Sequence, residues 1–466
     1  MTHVVAHTVG DAQIDDQRQD EQPSTDEDEA ADEQVTMACA EIHSFSLKPR
    51  LRRIVPFWLN TYGFAGGGFD GGDHPRRLTR LAIRPIAPPE TAPRTLMTSD
   101  TNLHDARSAD PDTAWQADVR AGVRHVRDLD RLPLSSAERA AAQAAAANHK
   151  VRAPKAYLDL IDWNDPADPI RAQVIPSPQE LEEVEGELDD PIADHDFSPV
   201  PRLTHRHADR VLLFPTYQCA VYCRFCFRKE SLTSIGRGYT REALEPALAY
   251  IAKHPEIREV ILTGGDPLSL PDKALAEIRA RIEAIAHVRL LRLHTRVPVA
   301  LPSRITPGLV AALQGRLMVT IVTHFNHARE ITHATETACR TLRQAGFVLL
   351  NQSVLLKGVN DSVEALEELC RELMYRLGVK PYYLHHGDLA RGMAHRRTTI
   401  AQGQALTEAL RARLSGICNP VYVLDLPEGG GKVPIGPCHV EGREGENWRL
   451  RGLDGEVRAY TEIVGE

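Results

Sequence analysis

The sequence lacks the features that mark a membrane protein or a secreted protein. No apolar run approaches the roughly 18 residues that a membrane-spanning helix needs. The N-terminus MTHVVAHTVG has neither the basic flank nor the apolar block of a secretory signal. Eight cysteines in 466 residues are too few for a disulfide scaffold. We therefore expect a cytoplasmic protein that has no membrane partner.

The chain also lacks a surplus of basic charge. Its net charge is −9, but residues 1–34 hold eleven acidic residues and a single arginine, so the remainder of the chain carries about +1. Nucleic-acid phosphates are bound by clustered lysine and arginine. A nearly neutral body therefore predicts a small-molecule substrate and no nucleic acid as partner.

Composition and pattern divide the chain into four parts. Residues 1–112 are acidic and then rich in glycine and proline, so they can bury too little apolar surface to fold and are predicted to be disordered. A further hypothesis is that Met97 is the true start. Residues 113–205 are predicted to be mainly helical, with helices over 117–129 and 134–150 and with Ser135 or Ser136 as the N-cap of the second. Residues 206–400 form the predicted core, and residues 401–466 form a C-terminal segment.

Strand and helix patterns alternate after residue 210. The candidate strands are 211–214, 260–262, 290–294, 318–322, 348–354 and 381–385, and a last one covers 421–424. Six βα units predict an α/β protein whose parallel sheet is open or curls into a partial TIM barrel, (β/α)6. In such folds the chemistry lies at the carboxyl ends of the strands. Polar residues stand at these ends: Thr216, Thr263, Thr295, His324, Asn351 and His386.

Three of the cysteines are spaced as CxxxCxxC directly after the first strand of this series. From this loop, Cys219, Cys223 and Cys226 can converge on one metal centre. A structural zinc site would need a fourth ligand nearby, whereas a 4Fe-4S cluster held by three thiolates keeps one iron free for a substrate group. Zinc is the alternative, but the strand-to-loop context favours the cluster.

Two glycine motifs are less specific. Gly264, Gly265 and Asp266 end the second strand, where the missing side chains would let a ligand approach the backbone, although a tight turn explains the same residues. Lys432 follows three glycines in PEGGGKVP, and the P-loop pattern is not met there. A flexible turn, a phosphate-binding loop and a Schiff-base lysine all stay open for it.

Taken together, the motifs resemble the lysine 2,3-aminomutase family of the radical S-adenosylmethionine (SAM) superfamily. They are THRHADRVLL, CRFCFRK, GGDPL, NQSVLLKGVND, KPYYLHHGDLARG and DLPEGGGKVP, and the resemblance extends from about Trp115 to the C-terminus. It implies a radical SAM partial barrel with a C-terminal extension that binds pyridoxal 5'-phosphate (PLP). The implied cofactors are a 4Fe-4S cluster, S-adenosyl-L-methionine and PLP. A homo-oligomer and a reductant protein such as flavodoxin or ferredoxin are implied as well.

The resemblance also assigns residues to the cofactors. Lys432 would form the internal aldimine with PLP, which requires a neutral amine at the moment of attack. The residues so assigned are Cys219, Cys223 and Cys226 for the cluster, Gly264, Gly265 and Asp266 for the methionyl group of SAM, and Lys432, Arg206 and Arg210 for PLP. An ordinary surface pair is the alternative for the two arginines.

Three further residues are assigned to the substrate by the same resemblance. Arg228 would pair with the substrate carboxylate, and Asp388 and Asp425 would hold the side-chain ammonium. Two carboxylates at one locus repel unless a cation lies between them. The implied reaction of this isomerase is the conversion of L-lysine to β-lysine, in which a 5'-deoxyadenosyl radical removes a hydrogen from C3 and the amino group migrates from C2 to C3.

Some features depart from the usual lysine enzymes. Phe227 stands where many of them have a small polar residue, and His-His-Gly before Asp388 is unusual. The last cysteine is Cys438, so the intersubunit zinc of the family is not expected. An arginine 2,3-aminomutase and a modifier of a lysine on elongation factor P are alternatives, although Asp425 counts against the second. A non-catalytic iron-sulfur or zinc protein is a third hypothesis, from another class.

Overall fold

The computed structural model describes residues 113–234 and 239–465. The prediction of a disordered extension over 1–112 and the hypothesis about Met97 concern residues outside these ranges. Within them, none of the helices has the length and apolar character needed to cross a membrane.

Helices and strands alternate through most of the described chain. The α-helices are α1 (Ala114–Ala121), α2 (Ser136–Asn148), α3 (Lys155–Leu158), α4 (Arg171–Val174), α5 (Lys229–Ser234), α6 (Glu245–Lys253), α7 (Asp272–Glu283), α8 (Val297–Ala300), α9 (Pro307–Leu313), α10 (His333–Gln344), α11 (Val363–Glu372) and α12 (Ile400–Arg413). The strands are β1 (Leu203–His207), β2 (Arg210–Thr216), β3 (Glu259–Gly264), β4 (Leu290–His294), β5 (Met318–Thr323), β6 (Val348–Val354), β7 (Lys380–His385), β8 (Val421–Leu426), β9 (Gly431–Pro434), β10 (Val440–Glu444), β11 (Asn447–Arg451) and β12 (Val457–Thr461).

Nine of the strands form one sheet in chain order, from β1 to β9. Neighbours from β2 to β8 are parallel, and β1 and β9 pair antiparallel at the two edges. The edges approach each other, because a Cβ atom added to Gly431 in β9 would lie 4.0 Å from Cε1 of His207 in β1. The predicted partial barrel of parallel strands is therefore confirmed, and β8 is its seventh parallel strand.

The barrel wall is buried on both sides. The first five residues of β3, Glu259 to Thr263, are all buried, as expected for a parallel strand whose outer face is covered by helices. Helix α10 illustrates that cover, since its buried residues recur at spacings of three and four and so form one stripe. These residues are Thr335, Ala338, Cys339 and Leu342. The polar strand ends are thus left as the natural place for chemistry.

The N-terminal segment departs from the prediction in one place. Helix α2 begins after Ser135, one of the two serines predicted as its N-cap, and the hydroxyl of Ser135 accepts from the backbone of Glu138 in a capping box. The helix predicted over 117–129 instead ends at Ala121. A Cβ atom on Gly122 would lie 2.2 Å from the carbonyl oxygen of Ala153, and the next residue pairs with Ala153 as an isolated bridge. This backbone pairing replaces the helical hydrogen bonds, and a 3-10 helix (Val126–Arg131) follows.

Candidate active site

The three cysteines lie on the loop that follows β2, which we call the cysteine loop (residues 217–228). All three line one cavity of about 170 Å³. Two backbone hydrogen bonds fasten the start of the loop to the end of β3, from Gly265 to the carbonyl of Thr216 and from Asp266 to that of Gln218, each at 2.9 Å. Among the described residues, no three histidine, cysteine or acidic side chains are close enough to hold a single metal ion. A 4Fe-4S cluster does not require the three thiolates to meet at a single metal ion, because each thiolate binds a different iron.

The Gly-Gly-Asp motif lies between the cysteine loop and the end of β4 and contacts both. A Cβ atom on Gly265 would lie 2.4 Å from the carbonyl oxygen of Gln218, so only glycine fits there. The carboxylate of Asp266 accepts from Thr295 Oγ1 and from the backbone N–H of Arg296, both at 2.7 Å. Its side chain therefore ties the ends of β3 and β4 together, while the backbone of the motif faces the cavity.

Arg296 is a residue of this cavity that the sequence analysis missed. Its Nη1 donates to Cys223 Sγ at 2.9 Å. Its Nη2 contacts the oxygens of Tyr157, Gln173 and Glu330 at 2.6–2.8 Å. The only available signal was its position directly after a predicted strand end, and its partners come from sequence positions more than thirty residues away.

A second cavity, of about 380 Å³, lies beside the first and contains Lys432 and Asp425. It also contains Arg206 and Arg210, the two arginines predicted for PLP. Residues that line both cavities are Phe227, Arg228, Thr263, His294, Gln352 and His385. A molecule between these shared side chains would contact the cysteine cavity on one side and Lys432 on the other.

The ammonium group of Lys432 lies in a polar and aromatic cage. It donates to the carboxylate of Asp425, which faces it across the β8–β9 pair, and it lies 3.2 Å from Nδ1 of His385, which itself lies 3.4 Å from Oδ2 of Asp425. The ring of Tyr383 lies 5.5 Å from Nζ. Burial lowers the pKa of Lys432 from its ordinary value, against the opposing charge of Asp425. The contacts with His385 and Lys432 outweigh burial and hold the pKa of Asp425 well below its usual range.

The turn that carries Lys432 needs its glycines. Gly429 has φ of +76°, and a Cβ atom there would lie 2.0 Å from Cε2 of Phe197. Glu428, just before it, also has positive φ, of 55°. Such backbone is costly for other residue types. The glycines therefore allow a tight turn with left-handed backbone directly before Lys432.

Arg228 and Arg206 share one carboxylate, that of Asp194. Arg228 Nε donates to Asp194 Oδ2 at 2.6 Å, and Arg206 Nη2 lies 3.2 Å from Oδ1. The ring of Phe227 lies 4.3 Å from the guanidinium carbon of Arg228 and helps to fix it, which gives this unusual residue a physical role. Arg210 pairs with the preceding residue at 2.8 Å. Asp194 was not predicted, because its loop carries no motif.

Asp388 lies in the cysteine cavity, and Asp425 lies in its neighbour. Oδ1 of Asp388 is buried and accepts no hydrogen bond from the described residues. Burial and then the negative charge of Asp425 raise the pKa of Asp388 to about 7. The negative charge of Asp425 thus acts on Asp388, whose Oδ1 has no hydrogen-bond partner among the described residues.

The residues present fit the three groups that the resemblance implies. Three thiols, which are soft ligands, line one cavity beside a backbone that only glycine can form. The neighbouring cavity combines a lysine whose pKa is lowered with two arginines that can pair with phosphate. The cysteine cavity also contains Oδ1 of Asp388, which accepts no hydrogen bond from the described residues.

Comparison with known proteins gives matches to two family models. The radical SAM superfamily model matches residues 213–371, which contain the cysteine loop and β3 to β6. The model described as lysine-2,3-aminomutase matches residues 407–464, which contain Lys432.

Curated relatives match over most of this chain. An L-lysine 2,3-aminomutase of Clostridium subterminale is 40% identical over 75% of this chain and 84% of its own. An L-lysine 2,3-aminomutase of Fusobacterium nucleatum is 39% identical over 75% of this chain and 82% of its own. A glutamate 2,3-aminomutase of Clostridioides difficile is 37% identical over 65% of this chain and 71% of its own.

Proposed function

We propose that this chain, which belongs to the lysine 2,3-aminomutase family of radical SAM enzymes, converts L-lysine to β-lysine. The observation that carries the proposal is the pair Asp388 and Asp425, two interacting carboxylates beside Lys432. A cationic side chain satisfies such a pair, whereas an acidic one would be repelled by it.

Family membership implies a 4Fe-4S cluster and SAM, and the named relatives imply PLP. When bound, the cluster and SAM supply a radical that removes a hydrogen from C3, and PLP supplies the conjugated system through which the amino nitrogen moves from C2 to C3. We assign Cys219, Cys223 and Cys226 to the cluster. Gly264, Gly265 and Asp266 would border SAM, and Lys432, Arg206 and Arg210 would hold PLP.

The surroundings of Lys432 support its role as the amine that holds the cofactor. A nucleophilic lysine must lose a proton, and burial lowers its pKa in that direction. Nδ1 of His385 lies 3.2 Å from Nζ and would accept this proton in the tautomer that carries the ring hydrogen on Nε2. Burial and the charge of Lys432 lower the pKa of His385 against the opposing charge of Asp425, which favours the uncharged ring.

The substrate-binding role of Asp425 requires Lys432 to release it. While Lys432 is protonated, its ammonium occupies the carboxylate of Asp425. Once the lysine is neutral, Asp425 becomes available to the side-chain ammonium of the substrate, together with the partnerless oxygen of Asp388. Arg228 would fix the substrate carboxylate at the other end, so the two clamps would set which carbon faces the cysteine cavity.

The test is an anaerobic assay of reconstituted protein with SAM, PLP and a reductant. L-lysine, L-arginine and L-glutamate are offered together, and their α and β isomers are separated by mass spectrometry. β-Lysine is the expected product. Formation of β-arginine or β-glutamate alone would contradict the proposed substrate while leaving the family intact. Lys432→Ala is the control and should abolish product.

A further inference from the structure

A basic groove lies between the cysteine loop and the N-terminal helical segment. It has a volume of about 720 Å³. It is lined by Tyr217, Gln218 and Tyr222 of the cysteine loop and by residues from 124–127 and 146–152, and we call its exposed residues Arg124, Arg127 and Lys150 the rim. Arginine, lysine and histidine line it, namely Arg124, His125, Arg127, Lys150 and Arg152, and no aspartate or glutamate is among its described lining residues.

The cationic charge of this groove is not neutralised within the described part of the chain. Arg124, Arg127 and Lys150 are exposed, and none of the ion pairs among the described residues involves them. Lys150 Nζ donates to the carbonyl oxygen of Leu232 at 3.0 Å, and Arg152 Nη1 donates to a carbonyl oxygen as well. Because carbonyls carry no net charge, both side chains stay available to attract an anionic partner.

The groove is coupled directly to a predicted cluster ligand. Arg152 Nη1 lies 3.0 Å from the carbonyl oxygen of Cys219, and Tyr222 N donates to the carbonyl of Arg152 at 2.9 Å. The guanidinium of Arg152 also lies 5.5 Å from the ring centre of Tyr222. A partner in contact with Arg152 would therefore be connected to the sulfur of Cys219 through one hydrogen bond and the covalent bonds of Cys219.

We propose that this groove is the docking surface for an acidic protein that carries one electron. The inference rests on the proposed function, because it is the cluster of that function that the partner would reduce. In the transfer, the carrier loses one electron and the cluster gains it; no bond is formed or broken. Exposed cations around a groove suit rapid and transient encounter, which is typical of redox partners.

The test compares two reductants on the full-length reconstituted protein. One is an acidic [2Fe-2S] ferredoxin kept reduced by NADPH and its reductase, and the other is photoreduced 5-deazariboflavin, which is uncharged. The variant Arg124→Glu/Arg127→Glu reverses the charge of the rim. The matched control, Lys253→Glu/Arg289→Glu, makes the same charge change at exposed residues that precede β3 and β4, at the opposite end of the strands. Cluster reduction is followed by its EPR signal without substrate.

The rim variant should be reduced by ferredoxin at least about tenfold more slowly than the parent at low ionic strength, and the difference should shrink as salt is added. Reduction by deazariboflavin should be unchanged in every variant. Equal ferredoxin rates in the rim variant and the control would overturn the proposal, and so would a parent that deazariboflavin reduces and the ferredoxin does not. Lys150→Met provides a second, milder variant with a smaller expected loss. Because the readout is cluster reduction, a failure of the aminomutase function would appear separately, as a reduced cluster that yields no β-lysine.

Discussion

Lys432 and Asp425 face each other across the antiparallel β8–β9 pair and form an ion pair there. The register of the two strands thus pairs Lys432, which is predicted to hold the cofactor, with Asp425, which is predicted to hold the substrate. Under the proposed function, substrate binding would exchange one ammonium for another at the same carboxylate. Lys432 would then compete with the substrate for Asp425.

Asp425→Asn should weaken lysine binding. The amide cannot form the charged contact with the substrate ammonium, and hydrogen bonds to charged groups contribute about 1.5–3 kcal/mol, so KM for lysine should rise roughly tenfold to a hundredfold. Steady-state kinetics under anaerobic conditions provide the measurement. Asp454→Asn, in the exposed loop between β11 and β12, is the matched control and should leave KM unchanged. An unchanged KM in Asp425→Asn would remove this residue from the substrate site.

The pH dependence of catalysis should report Asp388. Its pKa is raised to about 7 by burial and by Asp425, and only the ionised form attracts the substrate ammonium. Because kcat/KM reports ionisations of the free enzyme, kcat/KM for lysine should fall as the pH is lowered through 7. Asp388→Asn should have a lower kcat/KM at pH 8 and should lose that acidic limb. A limb of the same shape in the variant would assign it to another group.

The same carboxyl should affect stability with the opposite trend. A carboxyl whose pKa is higher in the folded chain than in the unfolded chain binds its proton more tightly when folded, so stability is lost as the pH rises from about 4 to 7. Asp388→Asn removes this loss. Between pH 4.5 and pH 8, the free energy of unfolding of the variant relative to the parent should rise, by an amount on the order of 2 kcal/mol. Denaturant unfolding without substrate at both pH values measures it, and a difference independent of pH would contradict the shift.

Arg296 should tune the cluster through its contact with Cys223 Sγ. A hydrogen bond to a cluster sulfur and a nearby positive charge both favour the reduced state. Arg296→Lys keeps a charge near Glu330 but shortens the reach to sulfur, so the midpoint potential should fall by an amount on the order of 50 mV. EPR-monitored redox titration measures it. The control is Arg329→Met, which removes a positive charge from the more exposed residue next to Glu330 and should leave the midpoint potential nearly unchanged. An equal fall of the potential in both variants would mean that the contact between Arg296 and the Cys223 sulfur has no effect on the cluster.

The strands of the barrel could be predicted from the sequence, because strand and helix patterns depend on residues that are close together along the chain. All seven predicted strands are present, and α2 has as its N-cap Ser135, one of the two serines predicted for it. The long-range partners could not be predicted in this way. His385 meets Lys432 across 47 positions, and Asp194 meets Arg228 across 34. Neither pair produces a periodic pattern in the sequence, so only the folded chain shows that a histidine lies beside the lysine and that two arginines share one carboxylate.

The failed helix prediction has a similar cause. The pattern of residues 117–129 is helical, but the backbone beyond Gly122 pairs with Ala153, and tertiary contacts override local propensity. Edge strands β1 and β9 were also missed. β9 is short and contains glycine and proline, which argue against a strand when the sequence is considered alone.

Gly429→Ala should disturb the turn that presents Lys432. The position has φ of +76°, and the new Cβ atom would lie 2.0 Å from Cε2 of Phe197. The left-handed backbone alone costs about 1–2 kcal/mol for alanine, and Phe197 must move away from Arg206, whose guanidinium carbon lies 5.1 Å from its ring centre. The free energy of unfolding should therefore fall by about 1–3 kcal/mol, and PLP occupancy, measured by absorbance, should fall with it. Gly416→Ala is a sharp control, because that glycine has no positive φ and nothing within 4 Å of its added Cβ atom. If Gly429→Ala bound PLP as fully as Gly416→Ala, the turn could not be what positions Lys432, and the link between the glycine run and the cofactor lysine would have to be abandoned.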